Sequence, residues 1–106
     1  MVSAEEITRV VNRYLDLVAN GTADEIAELY ADDATVQDPV GGEAHIGRHA
    51  IRGFYKNIES AERATELLTL RVAGHEAAFM FAITVGSGEH RIRIEPIDVM
   101  VFDGEG

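Results

Sequence analysis

The chain has 106 residues, a length that holds one domain, residues 1–106, and excludes a second folding unit of ordinary size. Its 46% hydrophobic content lies outside the range of disordered chains, and 9 basic against 19 acidic residues give a formal charge of −10 that opposes nucleic acid and anionic membrane faces. There is no cysteine, hence no disulfide, thiol nucleophile or thiolate metal site. The longest apolar run, residues 77–85, falls well short of the roughly 18 residues of a membrane-spanning helix. The opening residues lack the pattern of a secretory signal, so a cytoplasmic protein is expected, with a small neutral or apolar molecule as its partner.

Ser3 and Glu6 have the spacing of a capping box, which predicts a helix start. Ile7, Val10, Val11, Tyr14, Leu15 and Val18 then recur at three- and four-residue steps on one face, and Asn20-Gly21 supplies the stop. Thr22 and Glu25 repeat the box ahead of a second, shorter helix with Ile26, Leu29 and Tyr30 inside. From Asp33 the period changes to two, so Ala34, Val36, Asp38 and Val40 are expected on one strand face. Gly41-Gly42 marks a turn, residues 44–46 a return strand, and Gly47 the start of a third helix that buries Ala50, Ile51, Phe54, Tyr55 and Ile58.

The remainder reads as an antiparallel meander of strands at residues 66–73, 77–85 and 90–102. In the last of these Ile92, Ile94, Asp98, Met100 and Phe102 share a face, unless Pro96 marks a bulge that shifts the phase. The order of helices, hairpin, helix and meander predicts an α+β fold, three helices packed on a curved, mainly antiparallel mixed sheet.

Two carboxylates on apolar strand faces, Asp38 and Asp98, and a tyrosine on an apolar helix face, Tyr14, are the unusual features, because unpaired buried charge is costly. Desolvation favours the neutral form of a carboxyl group, so the deeper acid is suited to donate a hydrogen bond and the shallower one to act as a base. A tyrosine hydroxyl beside a protonated acid gives two donors aimed at one oxyanion. Each residue also has a structural reading: Asp38 shaping the turn with Pro39, Asp98 pairing with Arg91, Arg93 or Lys56, and Tyr14 as core.

The stretches Ala34-Thr35-Val36-Gln37-Asp38-Pro39-Val40-Gly41, Ala50-Ile51-Arg52-Gly53-Phe54-Tyr55 and Pro96-Ile97-Asp98, with Arg13-Tyr14 in the first helix, resemble the bacterial Δ5-3-ketosteroid isomerases. The resemblance runs in order from about Ser3 to Phe102 and implies the cone-like fold shared with nuclear transport factor 2. It implies Asp38 as the base that carries a proton from steroid C4 to C6, and Tyr14 with Asp98 as the pair that binds the dienolate oxygen. Tyr30 and Tyr55 are implied as supporting tyrosines, or serve as helix-face core. Val40, Phe54, Phe81, Met100 and Phe102 suit the walls of a steroid pocket, or are core. The resemblance further implies a homodimer and a reaction that needs no cofactor.

Gln37 departs from the acid that family members often carry before the base, and by strand period it faces away from the pocket. The family also continues past residue 106 into one more strand, so a strand-bearing segment supplied by the rest of a longer chain, or by another chain, is expected to complete the sheet. His45 and His49 are four apart, but Gly47 lies between them and no metal site is expected. Gly86-Ser87-Gly88 lacks the third glycine and following helix of a nucleotide fingerprint and reads as a hairpin turn, with His75 and His90 in solvated turns. Related folds host hydrolases, dehydratases and cyclases, and a non-catalytic cone for apolar ligands is a third reading.

Overall fold

A computed structural model describes residues 2–104, so the expectation about the chain's end, which falls on Glu105 and Gly106, lies outside the described residues. The elements in order are α1 (Ala4–Asn20), α2 (Ala23–Ala27), β1 (Thr35–Gln37), β2 (Ala44–Ile46), α3 (Arg48–Glu59), β3 (Arg63–Ala73), β4 (Glu76–Val85), a 3-10 turn (Gly88–His90), β5 (Ile92–Ile94) and β6 (Ile97–Val101). This is the expected α+β arrangement, and every strand pairing described is antiparallel. The chain divides into two compact units, one of residues 1–20 and 61–106, the other of residues 21–60. No helix among the described residues is long and apolar enough to cross a membrane.

In the first unit the Ser3 hydroxyl accepts the Glu6 backbone N–H at 3.1 Å, as the spacing predicts. Helix α1 then buries Ile7, Val11, Tyr14, Leu15, Leu17 and Val18, with Val10 half-buried. It packs on β3, where the Thr65 hydroxyl donates to the Leu15 carbonyl at 2.8 Å. Strand β4 is the centre of a four-stranded sheet, paired with β3 on one edge and with β5 and β6 on the other. A register shift between Leu67 and Thr69 leaves Leu68 as the extra residue of a bulge, which increases local twist and bends the strand. Alternation along β4 buries Ala77, Phe79, Phe81 and Ile83.

Residues 90–102 are not one strand. His90 closes the 3-10 turn, and β5 and β6 are separated at Glu95-Pro96, where proline offers no backbone donor. Pro96 does not shift the phase: Ile94 opposes Ile83 and Ile97 opposes Met80, three residues apart on both strands. Ile92 and Ile94 therefore keep the face of Asp98 and Met100, yet both are mostly exposed. On the opposite face Ile97, Val99 and Val101 are 70%, 67% and 67% exposed.

In the second unit α2 is shorter than the apolar spacing predicts. Leu29 and Tyr30 donate to the carbonyls of Ile26 and Ala27, three-residue bonds that tighten the chain out of the α-helix. The Thr22/Glu25 capping box is complete, and Ala23 N–H donates to Glu59 Oε1 at 2.8 Å, tying α2 to α3. Gly47 precedes α3 at φ +86°, a region L side chains rarely adopt, while its N–H donates to the Ala34 carbonyl at 2.8 Å. Helix α3 buries Ile51 and Tyr55, with Ala50, Phe54 and Ile58 half-buried.

Glu59 is held below the ordinary glutamate range chiefly by its hydrogen bond from Lys56 Nζ at 2.7 Å, and further by the Ala23 N–H. A carboxyl whose folded value is lowered adds stability above its unfolded value, about 4.3, and loses it as pH falls through the folded one. Glu59→Gln keeps an acceptor for Ala23 but not the charge. It is expected to lower the melting temperature at pH 7, with the gap to the parent closing in thermal melts taken below about pH 4.

Candidate active site

The candidate residues fall in both units. In the first, Tyr14 is 6% exposed on the inner face of α1, and its ring meets Phe79 edge-on, centroids 6.3 Å apart at 73°. Phe79 in turn lies against Phe81, centroids 5.6 Å apart. Asp98 is the cross-strand partner of Phe79, and Met100 that of Ala77, so both side chains stand on the sheet face that carries these rings. Phe102 continues that register, its N–H donating to the His75 carbonyl at 2.8 Å, and it is buried.

Tyr14, Phe81, Asp98, Met100 and Phe102 thus belong to one face of one sheet and the helix on it, and Phe79 adjoins Tyr14, Phe81 and Asp98. Phe79 was not among the expected wall residues. Its signal was the alternation of Ala77, Phe79, Phe81 and Ile83, which marks all four equally as inward. Asp98 is the one ionisable side chain on this face of β5 and β6, half-buried among Ile94, Met100 and Phe102. A polar group there interacts more strongly than one fully in water, because the apolar side chains around it exclude part of the competing solvent.

In the second unit the hairpin pairs Thr35 with Ile46, Val36 with His45 and Gln37 with Ala44. Strand alternation ends at Gln37, and this corrects the expectation that Asp38 and Val40 continue the apolar face of Val36. Pro39 to Gly42 form a tight turn, with Gly42 N–H donating to the Pro39 carbonyl at 2.9 Å and Gly41 at φ +94°. Asp38 is exposed at the entrance to that turn, and Val40 at its tip is 90% exposed.

Beside the hairpin lies an aromatic series. His45 lies against Phe54 at a tilt of 37° with centroids 4.7 Å apart, Phe54 meets Tyr55 edge-on at 5.0 Å, and the Tyr55 and Tyr30 hydroxyls hydrogen-bond at 2.8 Å. Tyr30 and Tyr55 are therefore a bonded pair, with Tyr55 buried. The Tyr30 backbone is fixed as well, since Arg48 Nε donates to its carbonyl at 3.1 Å and Arg48 also pairs with Asp32 at 2.8 Å. Arg52 pairs with Asp24, which holds the Asp24 carboxyl below its ordinary value. The His45–Phe54 contact was not foreseen, because cross-strand position and helix phase meet there only in three dimensions. Among the described residues no cluster of three or more His, Asp or Glu side chains has the arrangement of a metal site.

Three comparisons bear on this geometry. Residues 11–106 match the SnoaL-like domain family. The chain is 51% identical over 102 residues, 95% of its own length and 82% of the relative's, to a steroid Δ-isomerase of Nocardioides simplex. Among solved structures it is similar to SalBIII, an epoxide hydrolase/cyclase-like enzyme of pyran ring formation in the polyether salinomycin. That likeness has a TM-score of 0.89 at 28% identity and covers 100% of this chain and 87% of that one. An M. tuberculosis LEH-like epoxide hydrolase shares the fold, with a TM-score of 0.76 at 15% identity over 91% of this chain and 72% of that one.

The Tyr30–Tyr55 bond is testable by a double-mutant cycle. Tyr30→Phe and Tyr55→Phe are each expected to cost about 1 kcal/mol in denaturant unfolding, and the double variant less than the sum, because both remove the same bond.

Proposed function

We propose that this chain, which belongs to the SnoaL-like family and within it to the steroid Δ-isomerases, converts 3-oxo-Δ5-steroids to 3-oxo-Δ4-steroids. The observation that carries the reading is the 51% identity over 102 residues to the Nocardioides simplex enzyme. The Asp38 carboxylate takes a proton from C4, the electrons of that bond form the dienolate, and the same proton returns to C6. The double bond ends in conjugation with the C3 ketone. The proton leaves and re-enters one substrate, so a single base balances the reaction and no cofactor is required.

Tyr14 and the acid form of Asp98 donate hydrogen bonds to the C3 oxygen as it gains charge, the pattern known for ketosteroid isomerases. Support comes from the apolar face around them, where Phe79 adjoins both, since donors fixed in such surroundings need no reorganisation as charge develops. The base has the opposite need, to serve two carbons in turn. An exposed Asp38 at a turn entrance is in keeping with that. Phe81, Met100, Phe102 and Phe54 act as apolar contacts for the steroid in this reading, with Val40 at the tip of the base-bearing turn. Tyr30 and Tyr55 act as supporting hydrogen-bonding residues.

The reading includes a homodimer, supported by the outward stripe of Ile97, Val99 and Val101, which is more apolar than water-facing sheet normally is. Val99→Lys is expected to give a monomer by light scattering where the parent is dimeric.

The catalytic reading is tested by ultraviolet absorbance with androst-5-ene-3,17-dione, whose conjugated product absorbs. Asp38→Asn is expected to lower kcat by about 10²–10⁴-fold with steroid binding retained, and Tyr14→Phe by roughly 10²–10³-fold. Turnover by Asp38→Asn equal to the parent would overturn the mechanism.

A further inference from the structure

We infer that Gln37 is a positioning residue for Asp38, its side-chain amide clamping the turn on which the base is carried. The inference rests on the proposed role of Asp38 and deepens it. Gln37 Nε2 donates to the Gly42 carbonyl at 2.7 Å, across the four residues that separate them. Within that span Gly42 N–H returns to the Pro39 carbonyl at 2.9 Å, so Gly42 is held through both its N–H and its carbonyl.

Asp38 lies between the two anchors, one residue after Gln37 and one before Pro39. Its own side chain has no hydrogen bond or ion pair among the described residues, and it is exposed. The backbone therefore fixes the Cα–Cβ bond from which the carboxylate swings, and that backbone is held by the turn bond and the Gln37 bond. The sheet contributes nothing beyond Gln37, where β1 ends.

The residue type matters. A carbonyl oxygen only accepts, so the group facing Gly42 O must be a donor, and the amide of glutamine is one while an ionised glutamate is not. Gly42 is equally constrained. A Cβ there would come within 3.0 Å of the Pro39 carbonyl oxygen, while Gly41 takes the positive φ that the turn demands. The side chain of Gln37, bonded to Gly42 at the far end of the turn, thus acts on the base through the backbone.

The experiment is steady-state kinetics with androst-5-ene-3,17-dione on the parent, Gln37→Met, Gln37→Glu, Asp38→Asn and the Gln37→Met/Asp38→Asn double variant, with a thermal melt of each. Gln37→Met is expected to lower kcat roughly three- to tenfold, the worth of one hydrogen bond, with KM within about twofold and the melting temperature lowered by only a few degrees. Gln37→Glu loses at least as much at neutral pH, and serves in its place if the Met variant fails to fold. In the Asp38→Asn background Gln37→Met brings no further loss, because the clamp acts only through the base. An unchanged kcat in both Gln37 variants, or an equal loss on top of Asp38→Asn, overturns the inference while leaving the isomerase standing. A parent without turnover, or an Asp38→Asn variant as active as the parent, overturns the isomerase reading instead. The clamp is also read without substrate: nuclear Overhauser contacts from the Gln37 side-chain amide to Gly42 are expected, and their absence overturns it.

Discussion

The antiparallel ladder of β4 is the constraint to which the first unit is referred. One strand pairs with β3 along one edge and with both β5 and β6 along the other, and a single register covers the latter two despite the proline between them. Side chains alternate with a period of two, so a slip of one residue would carry Asp98 to the opposite face and bring Ile97 and Val99 inward. Burial of Phe79 at 1% exposure and Phe81 at 4% resists such a slip, since a fully buried aromatic contributes roughly 1.5–3 kcal/mol relative to an exposed one. The carboxyl of Asp98 is thus placed by the packing of its cross-strand neighbours. Tyr14 is placed by the same ring, reached from the helix.

The second unit solves a different problem. A base that serves two carbons requires some freedom, and Asp38, the proposed base, stands just past the end of a three-residue strand, where the ladder no longer holds it. The turn from Pro39 to Gly42 and the Gln37 amide confine that freedom to a short segment. The aromatic series from His45 to Tyr30 stiffens the unit beside the hairpin, with Arg48 and Glu59 fixing backbone groups that the short α2 leaves unsatisfied.

The fold is shared with proteins named as epoxide hydrolases and a cyclase-like enzyme, at TM-scores of 0.89 and 0.76. A shared fold does not fix the chemistry, which resides in the side chains mounted on it. The face of Asp98 on β5 and β6 carries one ionisable residue amid apolar ones, and the Asp38 turn carries an unpaired carboxylate. In the proposed mechanism those two environments belong to an acid that donates a hydrogen bond and a carboxylate that accepts a proton.

Local physics was legible in the chain itself. Capping at Ser3 and Thr22, the 3.6-residue face of α1, the glycine ahead of α3 and the two-residue alternation of β4 each depend on neighbours a few positions away. The proposal that Tyr14, Asp38 and Asp98 act together rests on ordered resemblance, while the phase of Asp98 was read from alternation. Tertiary structure alone decided the rest. Whether Pro96 shifts the strand depends on what β4 pairs with, and the answer is a continuous register. Where the alternation after Val36 stops depends on the turn that Gln37 closes from five residues away, which is why Val40 stands in solvent. Phe79 as the neighbour of both Tyr14 and Asp98, and Tyr30 as the partner of Tyr55, arise from contacts between elements far apart in the chain. Periodicity determines which way a residue faces within its own element, but packing between elements determines what it meets.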